Sequence, residues 1–234
     1  MEIMEKAKKQ WELVERCIRD CRRVYLFGPP GVGKTHCARE MLGKLGLQAW
    51  RVVLNEDIAV QELLGMFMPR SGEFVWMDGP FVMAMRKGGL IIDEIHRASG
   101  AVLDMLLGVL DDNPSGVSLP TGETIAPHSH FRAVATANVP PDGLDAALVD
   151  RFETVLCVSY PHPQLVEVLN QQIEGLGTFV LKSYEDENPV SPRRALNFAR
   201  LVREWRWNET DAARVTFGDE RAEELLAALA ISKA

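Results

Sequence analysis

The stretch GPPGVGKT at residues 28–35 constrains the fold more than any other part of the 234-residue chain. It matches the pattern G-x-x-x-x-G-K-[ST] of a phosphate-binding loop. The apolar run 24–27 before it is typical of a buried parallel strand, and residues 35–45 after it have a helical pattern. A strand, a glycine-rich loop and a helix in this order direct backbone N–H groups and a helix N-terminus toward an anion. The sequence therefore predicts an α/β protein that binds a phosphorylated ligand.

The side chains of this loop make the prediction more specific. Lys34 can reach the terminal phosphates of a nucleotide, and the Thr35 hydroxyl can ligate Mg²⁺. The glycines allow the backbone to turn tightly around the phosphates. The residues that we predict to contact the nucleotide are Gly28, Pro29, Pro30, Gly31, Val32, Gly33, Lys34, Thr35 and His36.

Two adjacent carboxylates follow a second apolar run, in the sequence LIIDEI at residues 90–95. Because the carboxyl ends of parallel strands meet at the ligand crevice, Asp93 is expected near the Mg²⁺ held by Thr35. Glu94 is then placed to orient and polarise an attacking water. Two carboxylates beside a triphosphate are electrostatically costly without a cation, so the pair implies Mg²⁺. The alternative is a solvated acidic pair that merely caps a strand.

Strands alternate with helices as far as Tyr160, and only helical patterns follow. The turn pairs Ser71-Gly72 and Thr121-Gly122 lie between apolar flanks and predict two hairpins. We therefore predict an α/β fold, a P-loop NTPase parallel sheet sandwiched by helices, with two β-hairpin insertions and a small C-terminal helical lid. The predicted domains are residues 1–160 for the nucleotide-binding core and residues 161–234 for the lid.

Composition limits the alternatives. Hydrophobic residues make up 47% of the chain and charged residues 25%, which is the usual range for a globular protein. The net charge of −7 argues against a general nucleic-acid binder. No apolar run approaches the ~20 residues of a membrane span, and the charged N-terminus lacks a signal-peptide pattern, so a cytoplasmic location is expected. We expect the four cysteines to be reduced thiols that bind no metal. They are Cys17, Cys21, Cys37 and Cys157.

Five motifs occur in a characteristic order: GPPGVGKT, LIIDEIHRA, VATANV, LVDRF and SPRRA. In this order they resemble the AAA+ ATPases, specifically the MoxR-like branch of the dynein-related AAA subfamily, which includes the CbbQ and GvpN types. The resemblance extends from about Arg22 to Arg203. It implies an ATP-hydrolysing ring motor that remodels a protein partner, with ATP and Mg²⁺ bound between subunits of a homo-oligomer. A hexamer is the expected assembly, and a protein with a von Willebrand A domain is the kind of partner that relatives often use.

The resemblance also implies roles for two residues that follow the carboxylate pair. Asn138 in VATANV matches sensor 1, whose amide helps to hold the attacking water beside the γ-phosphate. Arg151 in LVDRF matches the arginine finger, which neutralises charge at a neighbouring subunit's ATP. The alternatives are a turn residue for Asn138 and, for Arg151, a surface ion pair with Asp150 or Glu153.

Two further positions leave a choice open. Arg193 in SPRRA matches sensor 2 at the start of a lid helix, with Arg194 next to it as the competing residue. His96 replaces the asparagine that is usual in the DEINRA motif of this branch. Its neutral imidazole could serve the same polar contact, and the alternative is a purely structural histidine.

The first predicted hairpin carries a cluster of apolar side chains with two interpretations. In the MoxR-like branch such hairpins face the central axis of the ring and touch substrates. The alternative is a small satellite core. The residues concerned are Met66, Phe67, Met68, Phe74, Val75 and Trp76.

Three other functions fit a phosphate-binding loop. A small-molecule P-loop phosphotransferase is disfavoured by the adjacent carboxylates together with the sensor and finger residues. A nucleotide-dependent DNA-associated module of a restriction or phage system is disfavoured because the chain has no basic stripe. A scaffold that binds ATP without turnover is disfavoured by Glu94 and Arg151.

Overall fold

The computed structural model describes residues 2–232, which divide into two compact units. The first unit comprises residues 14–28 and 34–157, and the second comprises residues 2–13, 29–33 and 158–232. The strands are β1 (Arg23–Phe27), β2 (Gln48–Val53), β3 (Gly65–Arg70), β4 (Glu73–Asp78), β5 (Gly88–Asp93), β6 (Val117–Ser118), β7 (Thr124–Ile125), β8 (Arg132–Ala137) and β9 (Thr154–Cys157). The α-helices are α1 (Glu2–Asp20), α2 (Lys34–Lys44), α3 (Val60–Leu64), α4 (Pro80–Lys87), α5 (Gly100–Val109), α6 (Ala146–Asp150), α7 (Pro163–Gln172), α8 (Leu176–Lys182), α9 (Pro192–Arg203), α10 (Glu209–Phe217) and α11 (Asp219–Ser232).

The first unit is built on a five-stranded sheet in the order β2-β5-β8-β1-β9, and every neighbouring pair is parallel. Parallel neighbours require crossover connections, which the helices α2, α4 and α5 supply. Because all five strands run the same way, the residues that follow β1, β5 and β8 share one edge of the sheet. These residues are Gly28, Glu94 and Asn138. The sheet is flanked by helices, so the predicted P-loop NTPase fold is confirmed.

The strand β5 is buried along its whole length, as its apolar sequence predicts. Its two glycines are required by close packing. A Cβ added to Gly88 would lie 2.1 Å from the backbone oxygen of Gln48, and one added to Gly89 would lie 2.7 Å from Leu42 Cδ2. Leu90 and Ile92 then enter the core of the unit together with residues from α4 and α5. This packing fixes the position at which Asp93 ends the strand.

Both predicted hairpins are present in the first unit. The strands β3 and β4 are antiparallel and are joined by Ser71 and Gly72, whose φ angles are 50° and 88°. Positive φ at both turn residues matches the right-handed twist of the paired strands. The shorter hairpin pairs β6 with β7 around Gly122, which also has a positive φ of 86°.

The second unit has a helical core built from α7 to α11. Its buried side chains include Leu169, Leu176, Phe198 and Leu225. A smaller cluster joins Ile3 and other residues of α1 to this unit. The helical patterns at residues 164–173, 193–204 and 220–230 of the sequence predict α7, α9 and α11, whereas no pattern predicts α8 or α10. No helix within residues 2–232 is both long enough and apolar enough to span a bilayer.

Candidate nucleotide-binding and catalytic site

Lys34 begins α2, directly after the glycine-rich loop, and its side chain is held at the end of the sheet. The residue is 6% exposed. Its Nζ donates to the backbone oxygen of Gly28 at 2.7 Å and to Asn138 Oδ1 at 3.3 Å. These two partners follow β1 and β8, which are neighbouring strands. The Lys34 ammonium therefore lies at the carboxyl-terminal ends of β1 and β8.

Asp93 ends β5 as a buried carboxylate with three donors. It is 4% exposed, and its Oδ1 accepts from Thr35 Oγ1 at 2.9 Å and from Thr136 Oγ1 at 2.6 Å. Its Oδ2 accepts from Arg51 Nε. A buried carboxylate is stable only when it is paired and hydrogen-bonded, and these donors meet that requirement. The structure thus brings Thr35 and Asp93 together.

Arg51 and Thr136 were not identified from the sequence. The register explains their presence, because Thr136 pairs with Asp93 across β8 and β5 and Val53 pairs with Asp93 across β2 and β5. Arg51 lies two residues before Val53, on the same face of the edge strand β2. Neither position belongs to a motif, so the only signal is the strand order itself.

Glu94 leaves β5 in a left-handed backbone conformation, with φ 58° and ψ 39°. Such a conformation costs ~1–3 kcal/mol for a residue other than glycine and persists where the surroundings enforce it. Here a short 3₁₀ helix, Ile95–Arg97, follows at once, and Glu94 Oε1 accepts from Asn138 Nδ2 at 2.9 Å. The turn aims the carboxylate at the amide that follows β8. Strain of this kind clusters at functional sites.

Oxygen donors at this edge suit a magnesium ion. Mg²⁺ prefers hard oxygen ligands, and Thr35 and Asp93 both supply them. The Thr35 hydroxyl gives its single proton to Asp93, so its lone pairs are free to face a cation. The residues present therefore fit the ion, and Thr35 and Asp93 are the two that would hold it.

Residues 29–33, the middle of the loop, belong to the second unit and pack against two of its segments. A Cβ added to Gly31, whose φ is 81°, would lie 3.4 Å from Ser191 Oγ and 3.6 Å from Arg193 Cβ. The backbone N–H of His162 donates to Val32 O at 2.8 Å. His162 was not identified from the sequence. Within this unit, the loop is therefore placed beside the start of α9.

The two arginines of SPRRA have different surroundings. Arg194 donates to the backbone oxygen of Thr216, and its guanidinium lies 5.8 Å from the centroid of the Phe217 ring. Both arginines are exposed, and Arg193 is the one beside Gly31. Arg194 thus contacts other residues of the helical unit, whereas Arg193 lies beside the glycine-rich loop.

Arg151 follows α6 and forms an ion pair that the sequence did not suggest. Its Nη2 lies 2.9 Å from Asp111 Oδ2, and the two side chains are 34% and 36% exposed. Asp111 lies two residues beyond the end of α5. The partner is therefore neither Asp150 nor Glu153, the acidic residues nearest in sequence.

His36 and Cys37 lie on α2 just beyond the loop. The His36 side chain is 69% exposed, with Nε2 3.8 Å from Glu40 Oε2. Cys37 is buried, and burial raises the pKa of its thiol to about 12. The thiol is therefore protonated at neutral pH and unreactive as a nucleophile.

Comparison with known proteins identifies a family. Residues 23–152, more than half of the chain, match the AAA domain family of the dynein-related subfamily. This matched range includes Lys34, Asp93, Glu94 and Asn138.

Three curated proteins are similar to the chain. Midasin from Dictyostelium discoideum is 33% identical over 177 residues, which are 71% of this chain and 3% of midasin. Protein NorQ from Paracoccus denitrificans is 34% identical over 116 residues, which are 49% of this chain and 43% of NorQ. The denitrification regulatory protein NirQ from Pseudomonas aeruginosa is 29% identical over 209 residues, which are 82% of this chain and 80% of NirQ. The chain thus spans less than half the length of the first two proteins.

Solved structures show the same fold. A single-residue variant of RuvB from Thermotoga maritima aligns with a TM-score of 0.59 at 18% identity, over 92% of this chain and 72% of RuvB. A protein from Cytophaga hutchinsonii, described as a putative ATPase, aligns with a TM-score of 0.51 at 18% identity, over 97% and 84% of the two chains.

Proposed function

The chain belongs to the dynein-related subfamily of AAA domains as an ATPase of the MoxR-like branch of AAA+ proteins, and from this we propose that it is a ring motor that remodels a protein partner. The observation that supports the ATP hydrolysis in this proposal is the side-chain network at the edge of the sheet. Lys34, Asn138 and Glu94 are linked in series by hydrogen bonds, and Thr35 is linked to Asp93. Hydrolysis of ATP requires a cation that binds the phosphates, a hydroxyl that ligates the metal and a carboxylate that polarises water. Lys34, Thr35 and Glu94 supply these groups.

Each residue of the network has a distinct task in this proposal. Lys34 leaves Gly28 and Asn138 to bind the terminal phosphates. Glu94 polarises the attacking water, and Asn138 holds that water beside the γ-phosphate. Mg²⁺, held by Thr35 and Asp93, would neutralise charge on the phosphate oxygens during transfer. We further propose residues 1–160 as the nucleotide-binding core and residues 161–234 as the lid that contributes Arg193.

Lys34→Ala is expected to abolish ATP binding and to leave the fold intact, because the ammonium contributes its charge to phosphates and little to the core. Isothermal calorimetry with ATP and Mg²⁺ measures the binding, and thermal denaturation measures the fold. Lys44→Ala is the matched control, since Lys44 lies on the same helix with an exposed side chain paired to Glu40. ATP affinity that is equal in the two variants would contradict the role of the loop.

Arg151 supports the proposal that ATP lies between subunits. Its guanidinium pairs with Asp111, which is not a member of the network around Lys34. Asp111 would hold the guanidinium at the surface, where it is directed to the ATP of a neighbouring copy. A homo-oligomer is therefore required for turnover, and we propose a hexamer.

The apolar surface of the first hairpin supports a protein partner. Phe74 is 75% exposed, and Phe67, Met68 and Val75 of the same hairpin are also exposed, Phe67 on the face of Phe74 and the other two on the opposite face. Large apolar side chains that are exposed to solvent on a short hairpin indicate a surface for contact with another protein. Trp76 differs from them: it is half-buried, packs against the core of the first unit and donates from Nε1 to Asp78 Oδ1 at 2.8 Å. Trp76 therefore packs against the main core of the first unit and not in a separate satellite core, and Phe74 is the residue proposed to contact the partner.

The variants Phe74→Ala and Trp76→Ala distinguish contact with the partner, proposed for Phe74, from packing against the core, which Trp76 provides. The Glu94→Gln protein, which retains ATP, would serve as a trap whose ATP-dependent protein captures are identified by mass spectrometry. Adding Phe74→Ala to the trap is expected to remove the capture, while Phe74→Ala alone keeps basal ATPase and the melting temperature. Trp76→Ala is expected to lower the stability, by less than the ~3–5 kcal/mol of a fully buried tryptophan. Capture that survives Phe74→Ala would exclude the hairpin patch as the gripping surface.

A further inference from the structure

His96 lies at the end of the side-chain network, next to Glu94, and the mechanism above assigns it no role. Its Nε2 lies 3.5 Å from Glu94 Oε2, while Asn138 donates to the other oxygen of the same carboxylate. Lys34 in turn donates to Asn138. The order in the network is therefore Lys34, Asn138, Glu94, His96, and all four residues belong to the first unit.

The surroundings of the imidazole determine where its proton is most favourable. Nδ1 of His96 is buried and has no hydrogen-bond partner among the described residues. A proton on Nδ1 would be an unpaired donor there and would leave the Nε2 lone pair facing a carboxylate. A proton on Nε2 faces the negative charge of Glu94 instead, which favours this tautomer.

The backbone brings Glu94 and His96 together locally. Glu94 and His96 belong to one tight turn, in which the N–H of Arg97 donates to Glu94 O at 2.8 Å. In the proposed mechanism Lys34 and Asn138 turn toward phosphates and water. The contact from His96, by contrast, depends only on residues of this turn.

We propose that His96 is a positioning residue, which holds the Glu94 carboxylate toward the attacking water while Lys34 and Asn138 engage the substrate. The inference rests on the proposed role of Glu94 as the group that polarises water. The Glu94 carboxylate is otherwise free to rotate about its side-chain torsions. A second polar contact, the approach of His96 Nε2 to Glu94 Oε2 at 3.5 Å, narrows its orientation. The effect belongs to the chemical step and not to ATP binding.

The test compares His96→Phe and His96→Asn. Phenylalanine keeps the ring shape without an N–H, and asparagine restores an N–H donor. His96→Phe is expected to lower kcat ~10–100-fold, with unchanged KM and unchanged affinity for a non-hydrolysable ATP analogue. His96→Asn is expected to recover most of kcat. In the Glu94→Gln background, His96→Phe is expected to have no further effect, because the two residues act as a unit.

Several outcomes would overturn the inference. Wild-type kcat in His96→Phe, an equal loss of kcat in His96→Asn, or a further loss in the double variant would each exclude positioning through Glu94. If His96→Phe lowers the melting temperature, the test compares His96→Ala with His96→Gln instead. The glutamine amide is again expected to recover kcat. An active Glu94→Gln protein would contradict the proposed function itself, whereas an inactive Glu94→Gln protein beside a fully active His96→Phe protein would overturn only the role of His96.

Discussion

Glu94→Gln is expected to bind ATP as tightly as the wild-type protein and to lose hydrolysis by a factor of ~10²–10⁴. The amide has the shape of the carboxylate, so it can still meet Asn138, whose Nδ2 donates to Glu94 Oε1 at 2.9 Å and whose Oδ1 offers a second contact. It lacks the negative charge that draws a proton from water. Binding depends on Lys34 and the loop, which the substitution does not touch.

The measurement pairs steady-state phosphate release with calorimetry of ATP binding. Glu56→Gln is the matched control, since Glu56 is an exposed glutamate of the same unit in the loop after β2. The control is expected to retain full turnover. Turnover of Glu94→Gln within about threefold of wild type would show that the carboxylate is not the group that polarises water.

The parts of the site that the sequence predicts are those in which a local pattern determines the geometry. The apolar run 24–27, the glycines and Lys34 form a continuous strand, loop and helix, and each conformation follows from its own residues. Similarly, the apolar run before Asp93 predicts a buried strand, and burial then fixes where the carboxylate emerges. A parallel sheet brings the two segments to one edge without further information.

The rest of the site depends on contacts between distant parts of the chain. Arg51 reaches Asp93 only because β2 pairs with β5, and Asp111 reaches Arg151 only because the end of α5 lies near α6. Neither contact leaves a periodic pattern in the sequence. The helix α10 was missed although Asn208 caps it with two side-chain hydrogen bonds, because its apolar residues are mostly small. The helix α8 has only seven residues, too few to establish a period.

Arg151→Ala is expected to bind ATP nearly normally and to hydrolyse it poorly. In other phosphoryl-transfer enzymes an arginine finger contributes ~10³–10⁵ in rate, and a ring in which each subunit serves its neighbour is expected to show the lower part of that range. Binding is retained because the proposed finger belongs to a different ATP than the one its own loop holds. Arg22→Ala is the control, since Arg22 is an exposed arginine of the same unit.

Mixing the Arg151→Ala and Lys34→Ala proteins distinguishes an arginine finger that acts on a neighbouring subunit from an arginine that only stabilises its own subunit. Arg151→Ala lacks the finger and Lys34→Ala lacks the loop cation, so each protein alone has little or no ATPase activity. In a mixed ring, an intact Arg151 from one protein meets an intact Lys34 from the other across some of the interfaces, and activity returns in proportion to those interfaces. If the ion pair with Asp111 serves only the fold, Arg151→Ala instead lowers the melting temperature, as Asp111→Ala does, and mixing restores nothing. Recovery of ATPase activity in mixed rings, with melting temperatures unchanged, is the result that the position of Arg151 predicts.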